Sequence, residues 1–101
     1  MNLIETGIVS SSGAVSLGTV SAASDGNTKK ELQYLILSAD GTCSIQLFNG
    51  STALTNVFFL SAGLTQTINL RNLGLEAENL KYTSTGSANF SILAGFTTKG
   101  K

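Results

Sequence analysis

The sequence predicts an all-β protein, a single β-sandwich of about eight short antiparallel strands that is jelly-roll-like or immunoglobulin-like. Apolar and polar residues alternate with a period of two in several short segments, as in TCSIQLF at residues 42–48. Turn-forming residues separate these segments, and the chain contains eleven glycines. No stretch sustains the spacing of an amphipathic helix. The alternation is explained by one core layer between two sheets, each of which has its other face exposed to solvent.

The strands are expected in close succession. The first two are short apolar segments bounded by serine and glycine, and the third and fourth are separated by Asp40-Gly41. In the later strands, Leu80 and Tyr82 point to one face and Lys81 and Thr83 to the other. The predicted strands cover residues 3–10, 14–20, 31–38, 42–48, 53–60, 65–71, 78–84 and 88–96.

The predicted turns follow from residues that tolerate a positive φ. Asp40-Gly41 and Asn49-Gly50 are typical of tight hairpins, and Thr85-Gly86 is expected to join the last two strands. The longer breaks at 22–30 and 72–77 are candidates for connections that carry the chain from one sheet to the other.

Two runs break the alternation, Leu35-Ile36-Leu37 and Val57-Phe58-Phe59-Leu60. A strand that is apolar on both faces is covered on both sides or lies at an interface. Since a chain of this size has one core layer, one face of each run is expected to meet a partner. A β-bulge that re-aims one side chain is an equally weighted alternative.

The whole chain, residues 1–101, is expected to form one domain. Residues 1–10 are a candidate N-terminal arm that adds a strand to a neighbour's sheet edge, although an ordinary first strand explains them slightly better. Residues 97–101 are expected to form a flexible, basic C-terminal tail.

The composition excludes most catalytic mechanisms. The sequence has no histidine and one cysteine, so a structural zinc site and the histidine-assisted nucleophile pairs are not expected. Cys43 lies on the apolar face of a predicted strand and is interpreted as a buried structural thiol. The close carboxylates of Glu76 and Glu78 are interpreted as solvated side chains. We expect no enzyme activity, no cofactor and no metal.

Charge and hydropathy limit the classes of partner that the chain is expected to bind. Charged residues make up 12% of the chain, about half the usual share, and the net charge is zero. A chain of this kind associates readily with other proteins. Neither a basic patch for nucleic acid nor an apolar stretch for a membrane is visible. With no export signal, the chain is expected to be made in the host cytoplasm and not exported by that route, and Asn49-Gly50-Ser51 is not expected to be glycosylated.

The segments LFNGSTALTNVFFLSAGLTQTINL and GLEAENLKYTSTGSANFSILAGF give the chain a family resemblance over residues 31–96. In the order of their turn and strand residues they resemble small structural β-sandwich proteins of tailed bacteriophage virions, such as capsid decoration and head-fibre-type proteins. The resemblance implies a role in assembly, located in the virion, and carries over no functional side chains.

The expected function is therefore that of a non-enzymatic capsid decoration (cement) protein. Its partners would be the major capsid protein or other virion proteins, and copies of itself in a homo-oligomer, provisionally a trimer. The alternative is a carbohydrate- or receptor-binding module, or a neck, tail or head-fibre module of the virion. The predicted interface residues are Leu3, Ile4, Ile8, Val57, Phe58 and Leu93.

Overall fold

The computed structural model describes residues 4–24 and 28–98, and these residues form ten β-strands. The prediction of an all-β fold is confirmed. None of the described residues belongs to a helix that is long and apolar enough to cross a membrane. The strands are β1 (Glu5–Ser12), β2 (Val15–Ser24), β3 (Lys30–Ala39), β4 (Cys43–Asn49), β5 (Thr52–Ala53), β6 (Phe58–Leu60), β7 (Thr65–Asn69), β8 (Glu76–Ala77), β9 (Asn79–Gly86) and β10 (Asn89–Thr98).

The strands form two five-stranded antiparallel sheets. Sheet A has the order β1-β10-β3-β7, with β8 also paired to β3, and sheet B has the order β2-β9-β4-β5, with β6 also paired to β4. If β5 with β6 and β7 with β8 are each counted as one interrupted strand, eight strands remain. Only the connection from β4 to β5 then stays within its sheet. This is the double-sheet jelly roll, one of the two topologies expected.

The core lies between the two sheets and follows the period of two. Residues of β9 alternate between partly exposed and buried along the strand. The rings of Tyr82 in sheet B and Phe90 in sheet A meet edge to face with centroids 5.9 Å apart, a contact that ties the sheets together. The largest fully buried side chains are Phe96, Leu32, Leu35, Leu37, Ile45, Leu47, Leu80, Ile92 and Val20.

The predicted strand 53–60 is wrong in its middle, because the chain leaves the sheet between β5 and β6. Thr55 replaces the missing strand pairing there. Its hydroxyl accepts a hydrogen bond from the amide of Leu47 at 3.2 Å, and its carbonyl accepts one from the side chain of Gln46 at 2.8 Å. Thr55 thus supplies hydrogen-bond partners to β4 although the two segments form no strand ladder here.

Of the two predicted hairpins, the one at Asp40-Gly41 is instead a corner between the sheets, and Thr85-Gly86 joins the last two strands as expected, also across a corner. Asp40-Gly41 connects β3 in sheet A to β4 in sheet B, and Thr85-Gly86 precedes the crossing from β9 to β10. Asp40 fixes its corner by accepting hydrogen bonds from the backbone and side-chain amides of Asn89, at 2.8 and 2.6 Å. A glycine-containing turn allows either geometry, so the dipeptides alone did not distinguish them.

The hairpin at Asn49-Gly50 is confirmed. Asn49 pairs with Thr52, and Gly50, the first residue of the two-residue loop, has a φ of 61° while Ser51 has a negative φ. A glycine with positive φ at this position is typical of a type II′ turn. Asn49 itself anchors the hairpin to the neighbouring strand, since its side chain bonds the amide of Asn79 and the carboxylate of Glu78, each at 3.3 Å.

The structure locates the remaining predicted breaks and chain ends. The break at 22–30 does carry the chain from sheet B to sheet A, but the break at 72–77 does not change sheets, because β7 and β8 both pair with β3. Most of the candidate arm 1–10 lies in β1, which pairs with β10 of the same chain. Thr97 and Thr98 of the candidate tail 97–101 belong to β10.

Candidate interaction surface

An apolar row crosses the outer face of sheet A. The register places Ile8 of β1 beside Leu93 of β10, and Leu93 beside Ile36 of β3. Thr67 of β7 completes the row. Ile8 is 66% exposed, whereas Leu93 and Ile36 are partly buried. These side chains point away from the core, because their neighbours along each strand point into it.

The rows on either side of this one are polar but uncharged. In one of these polar rows, the hydroxyls of Ser38 on β3 and Ser91 on β10 are joined by a hydrogen bond of 2.7 Å. We call the three rows together the neutral face, since none of their residues carries a formal charge. Its rows are Thr6, Gly95, Tyr34 and Asn69; Ile8, Leu93, Ile36 and Thr67; and Ser10, Ser91, Ser38 and Thr65.

Tyr34 and Gly95 form a cross-strand pair at one end of the neutral face. A Cβ atom on Gly95 would lie 2.2 Å from the tyrosine ring, so the ring occupies the space that a side chain would need. The pairing of β10 with β3 also shifts register immediately after Gly95, which marks a β-bulge. The aromatic ring thus covers the backbone at the point where the strand bends.

The predicted interface residues do not form one cluster. Ile8 and Leu93 are neighbours on the neutral face, and Ile4, which is 44% exposed, lies immediately before β1. Leu3 lies outside the described residues. Phe58 is the first residue of β6 in sheet B and Val57 immediately precedes it, so both lie away from this face.

Phe58 does not point toward solvent, and here the side-chain assignment differs from expectation. Phe58 is partly buried against the core, whereas the next residue, Phe59, is 76% exposed on the outer face of sheet B. The reason is the period of two, because Leu60 is buried and the residue before it must face the other way. Phe59 stands beside Ser44, whose hydroxyl is hydrogen-bonded to that of Thr85.

Ile36 is the residue of the apolar row that the predicted interface omitted. A signal for it was present, since Ile36 is the middle residue of an apolar run whose flanking residues, Leu35 and Leu37, are both buried. Its alignment with Ile8 and Leu93 depends on the order of strands in the sheet. That order is set by residues far apart in the sequence and cannot be read from a local pattern.

A second apolar feature is a groove between the sheets, where β5, β6 and the turn after β7 leave the sandwich open. Its volume is about 640 Å³. The polar groups at its rim include Gln46, Thr55, Asn56 and Asn69. Its apolar lining includes Leu54, Phe58, Ile68, Leu73 and Leu75.

Among the described ionisable groups, Lys30 donates from Nζ to the carbonyls of Thr28 and Glu78, and Glu31 stands opposite Glu76 in the pairing of β3 with β8. Burial, and to a smaller extent the negative charge of Asp40, raises the pKa of the Cys43 thiol, so the thiol is held in its unreactive protonated form. Glu78 is hydrogen-bonded to Asn49 in the hairpin described above. Within residues 4–24 and 28–98, no three His, Cys, Asp or Glu side chains are grouped so that they could hold a metal ion.

The fold places the chain among small all-β jelly-roll proteins. No protein-family model matches the sequence. No curated protein matches it either. A solved structure described as "Bacillus endospore appendages form a novel family of disulfide-linked pili" is similar in fold, with a TM-score of 0.60 and 12% sequence identity. The likeness covers 96% of this chain and 88% of that one, and at this identity it concerns the fold.

Proposed function

We propose that this chain is a non-enzymatic structural subunit of a repetitive protein assembly and, within that class, a capsid decoration protein of a bacteriophage virion. The observation that carries the proposal is the neutral face, an uncharged surface with an apolar row directed at solvent. Such a surface is suited to lasting burial against another protein, because no charge must be desolvated when it docks.

The energetics of docking favour this face. Burial of the side chain of Ile8 alone would contribute about 1–2 kcal/mol, since about two thirds of it is exposed. The hydroxyls of the flanking rows can bond to a partner without the penalty of a buried charge. The resemblance to small virion β-sandwich proteins supports the finer assignment, and the fold shared with a pilus-forming protein supports the broader one.

The test is addition of the purified protein to capsids that lack it, with copy number measured by quantitative mass spectrometry. Hundreds of copies per particle are the expected result for a decoration protein. Two matched variants locate the docking face: Leu93→Lys on the central strand β10 of sheet A, and Thr83→Lys on the central strand β9 of sheet B. Both residues point outward and are partly buried.

We expect Leu93→Lys to lower the affinity for capsids by at least tenfold, because the lysine places a charge in the apolar row. Thr83→Lys should bind as the unmodified chain does. Circular dichroism and thermal unfolding of both variants separate a docking effect from loss of the fold. Equal binding by the two variants, or no binding by the unmodified protein, contradicts the proposal.

A subunit of a pilus-type filament is the second candidate, and the shared fold favours it. The one cysteine of this sequence, Cys43, is buried and offers no accessible thiol for a link between subunits. Filaments of this chain would therefore assemble without disulfides. Negative-stain electron microscopy of the concentrated protein with and without reductant distinguishes this candidate, since decoration proteins form no filaments alone.

A receptor- or glycan-binding module gains less support. Such sites present aromatic side chains together. The exposed Phe59 and the partly buried Tyr34 lie on the outer faces of opposite sheets, and the partly buried Phe48 lies four residues along β4 from Ser44, the strand partner of Phe59. A glycan array provides the direct check on this alternative.

A further inference from the structure

The two sheets present four edges, and three of them carry a feature that discourages pairing with another chain. In sheet B, β2 has two register shifts against β9, and the opposite edge consists of the very short β5 and β6. In sheet A, the five-residue β7 is bridged to sheet B by the side chain of Gln66, which donates to the carbonyl of Phe59 at 3.1 Å. Bulged, short and covered edges are the usual protections against strand addition.

The fourth edge, β1, is neither bulged nor short; β2 of sheet B approaches it, but is not hydrogen-bonded to it in either sheet. Its eight residues pair with β10 without a register shift. It contains no proline or lysine, and its single charged residue, Glu5, stands at one end. Among the described residues, no backbone hydrogen bond joins the other side of β1 to another element. Alternate amides and carbonyls of this strand therefore point toward solvent.

We propose that β1 pairs antiparallel with β1 of a second copy of this chain, across a two-fold axis perpendicular to sheet A. The two copies of sheet A would then form one continuous sheet. This inference is argued from the exposed strand β1 and does not depend on the proposed function, because a dimer can form whether or not the protein binds a capsid.

The register of the pairing follows from symmetry. A two-fold axis perpendicular to the sheet keeps outward residues facing outward, so the residue on the axis meets its own copy. Placing Ile8 on the axis brings together the most exposed apolar side chains of sheet A. Thr6 then faces Ser10 of the second copy, and Glu5 faces Ser11, so the acidic side chains of the two copies are kept apart.

This register also extends the apolar row. Ile36, Leu93 and Ile8 of one copy would continue into Ile8, Leu93 and Ile36 of the other, along a single line across the joined sheet. The paired segment spans roughly 23 Å for seven residues. Because an edge-to-edge contact of this length lies at the low end of interface sizes, we expect a dimer with a micromolar dissociation constant.

A charge-swap experiment tests the register. One variant carries Thr6→Lys and Ser10→Lys, and the other carries Thr6→Glu and Ser10→Glu. In the proposed dimer these positions face each other across the axis at about 5 Å, so each variant alone places like charges together. Sedimentation velocity from roughly 10 µM to 1 mM should show the unmodified chain dimerising, each variant as a monomer, and their mixture as a heterodimer.

The mixture keeps the test informative, because recovery of a dimer shows that both variants are folded and that their paired positions face each other. An unmodified chain that stays monomeric at the highest concentration overturns the proposal. A mixture that stays monomeric, although circular dichroism shows both variants folded, overturns it as well. A third measurement uses Ile8→Cys, which should give a disulfide-linked dimer on mild oxidation, whereas Thr83→Cys on sheet B should not.

Discussion

In two glycine–tyrosine pairs of this protein, the tyrosine ring fills the space beside a glycine on the neighbouring strand, but the two rings lie in different surroundings. Gly95 and Tyr34 pair on the outer face of sheet A, and Gly18 and Tyr82 pair inside sheet B. In each pair the ring fills the space of the missing side chain, at 2.2 Å from the ideal Cβ position of Gly95 and 2.4 Å from that of Gly18. The same local device thus serves the surface in one sheet and the core in the other.

The surroundings decide how firmly each ring is held. Tyr82 is 5% exposed and packs edge to face on Phe90, so it has no free volume into which to move. Tyr34 is partly exposed and can rotate toward solvent. The comparison teaches that a glycine opposite an aromatic residue is required more strictly where the ring is enclosed.

The largest effect is expected from Gly18→Ala. The new methyl group would overlap the enclosed ring of Tyr82, and we expect the free energy of unfolding to fall by about 3 kcal/mol. Urea unfolding followed by tyrosine fluorescence measures this change. Ser16→Ala, a neighbouring exposed position of β2, is the control and should change stability by less than about 0.5 kcal/mol. A loss under about 1 kcal/mol for Gly18→Ala would break the comparison.

A smaller effect is expected from Gly95→Ala, about 1 kcal/mol, because Tyr34 can swing away from the added methyl group. The pair is tested directly by a double-mutant cycle with Tyr34→Ser. Once the ring is removed, the alanine should be neutral or stabilising, since alanine is preferred to glycine within a strand. If Gly95→Ala is equally harmful with and without the ring, the strain lies in the backbone at the bulge and not in the contact.

The smallest effect concerns the pH dependence of stability. Burial raises the pKa of Cys43, so the folded state keeps this thiol protonated to a higher pH than the unfolded chain does. Its contribution is fully present below the ordinary pKa of 9.0 and is lost as the pH rises through the raised value. Thermal unfolding above pH 9.0 should therefore show a shallower decline for Cys43→Ala than for the unmodified chain. Parallel curves would contradict this reading of the core of sheet B.

The sequence allowed the strands to be located with good accuracy where alternation is strict. β4, β9 and β10 lie close to their predicted positions, because each alternates between core and solvent over most of its length. The predicted strand 53–60 failed in the middle, where Thr55 satisfies β4 through its own side chain and carbonyl. A local pattern predicts which face of a sheet a residue occupies. It does not predict where a side chain replaces the backbone hydrogen bonds between two strands.

The candidate surface could be predicted only in part. Ile8 and Leu93 were expected at an interface, and both lie on the neutral face. Their alignment with Ile36 in one row could not be foreseen, because it requires that β10 lie between β1 and β3. Corner turns such as Asp40-Gly41 gave no guidance, since the same residues suit a hairpin within one sheet.

The pairing of β1 with β10 also has a consequence for biosynthesis. The ribosome makes β1 before β10, so sheet A lacks this strand, which pairs with both β1 and β3, until β10 has left the exit tunnel. Folding dominated by such distant pairings is slow, on a scale of milliseconds to seconds for small β proteins. During that interval β1 has no partner on either side, and neighbouring nascent chains on one messenger RNA would expose the same edge to each other. Any delay between the synthesis of β1 and that of β10 therefore lengthens the period in which this edge is open to other chains.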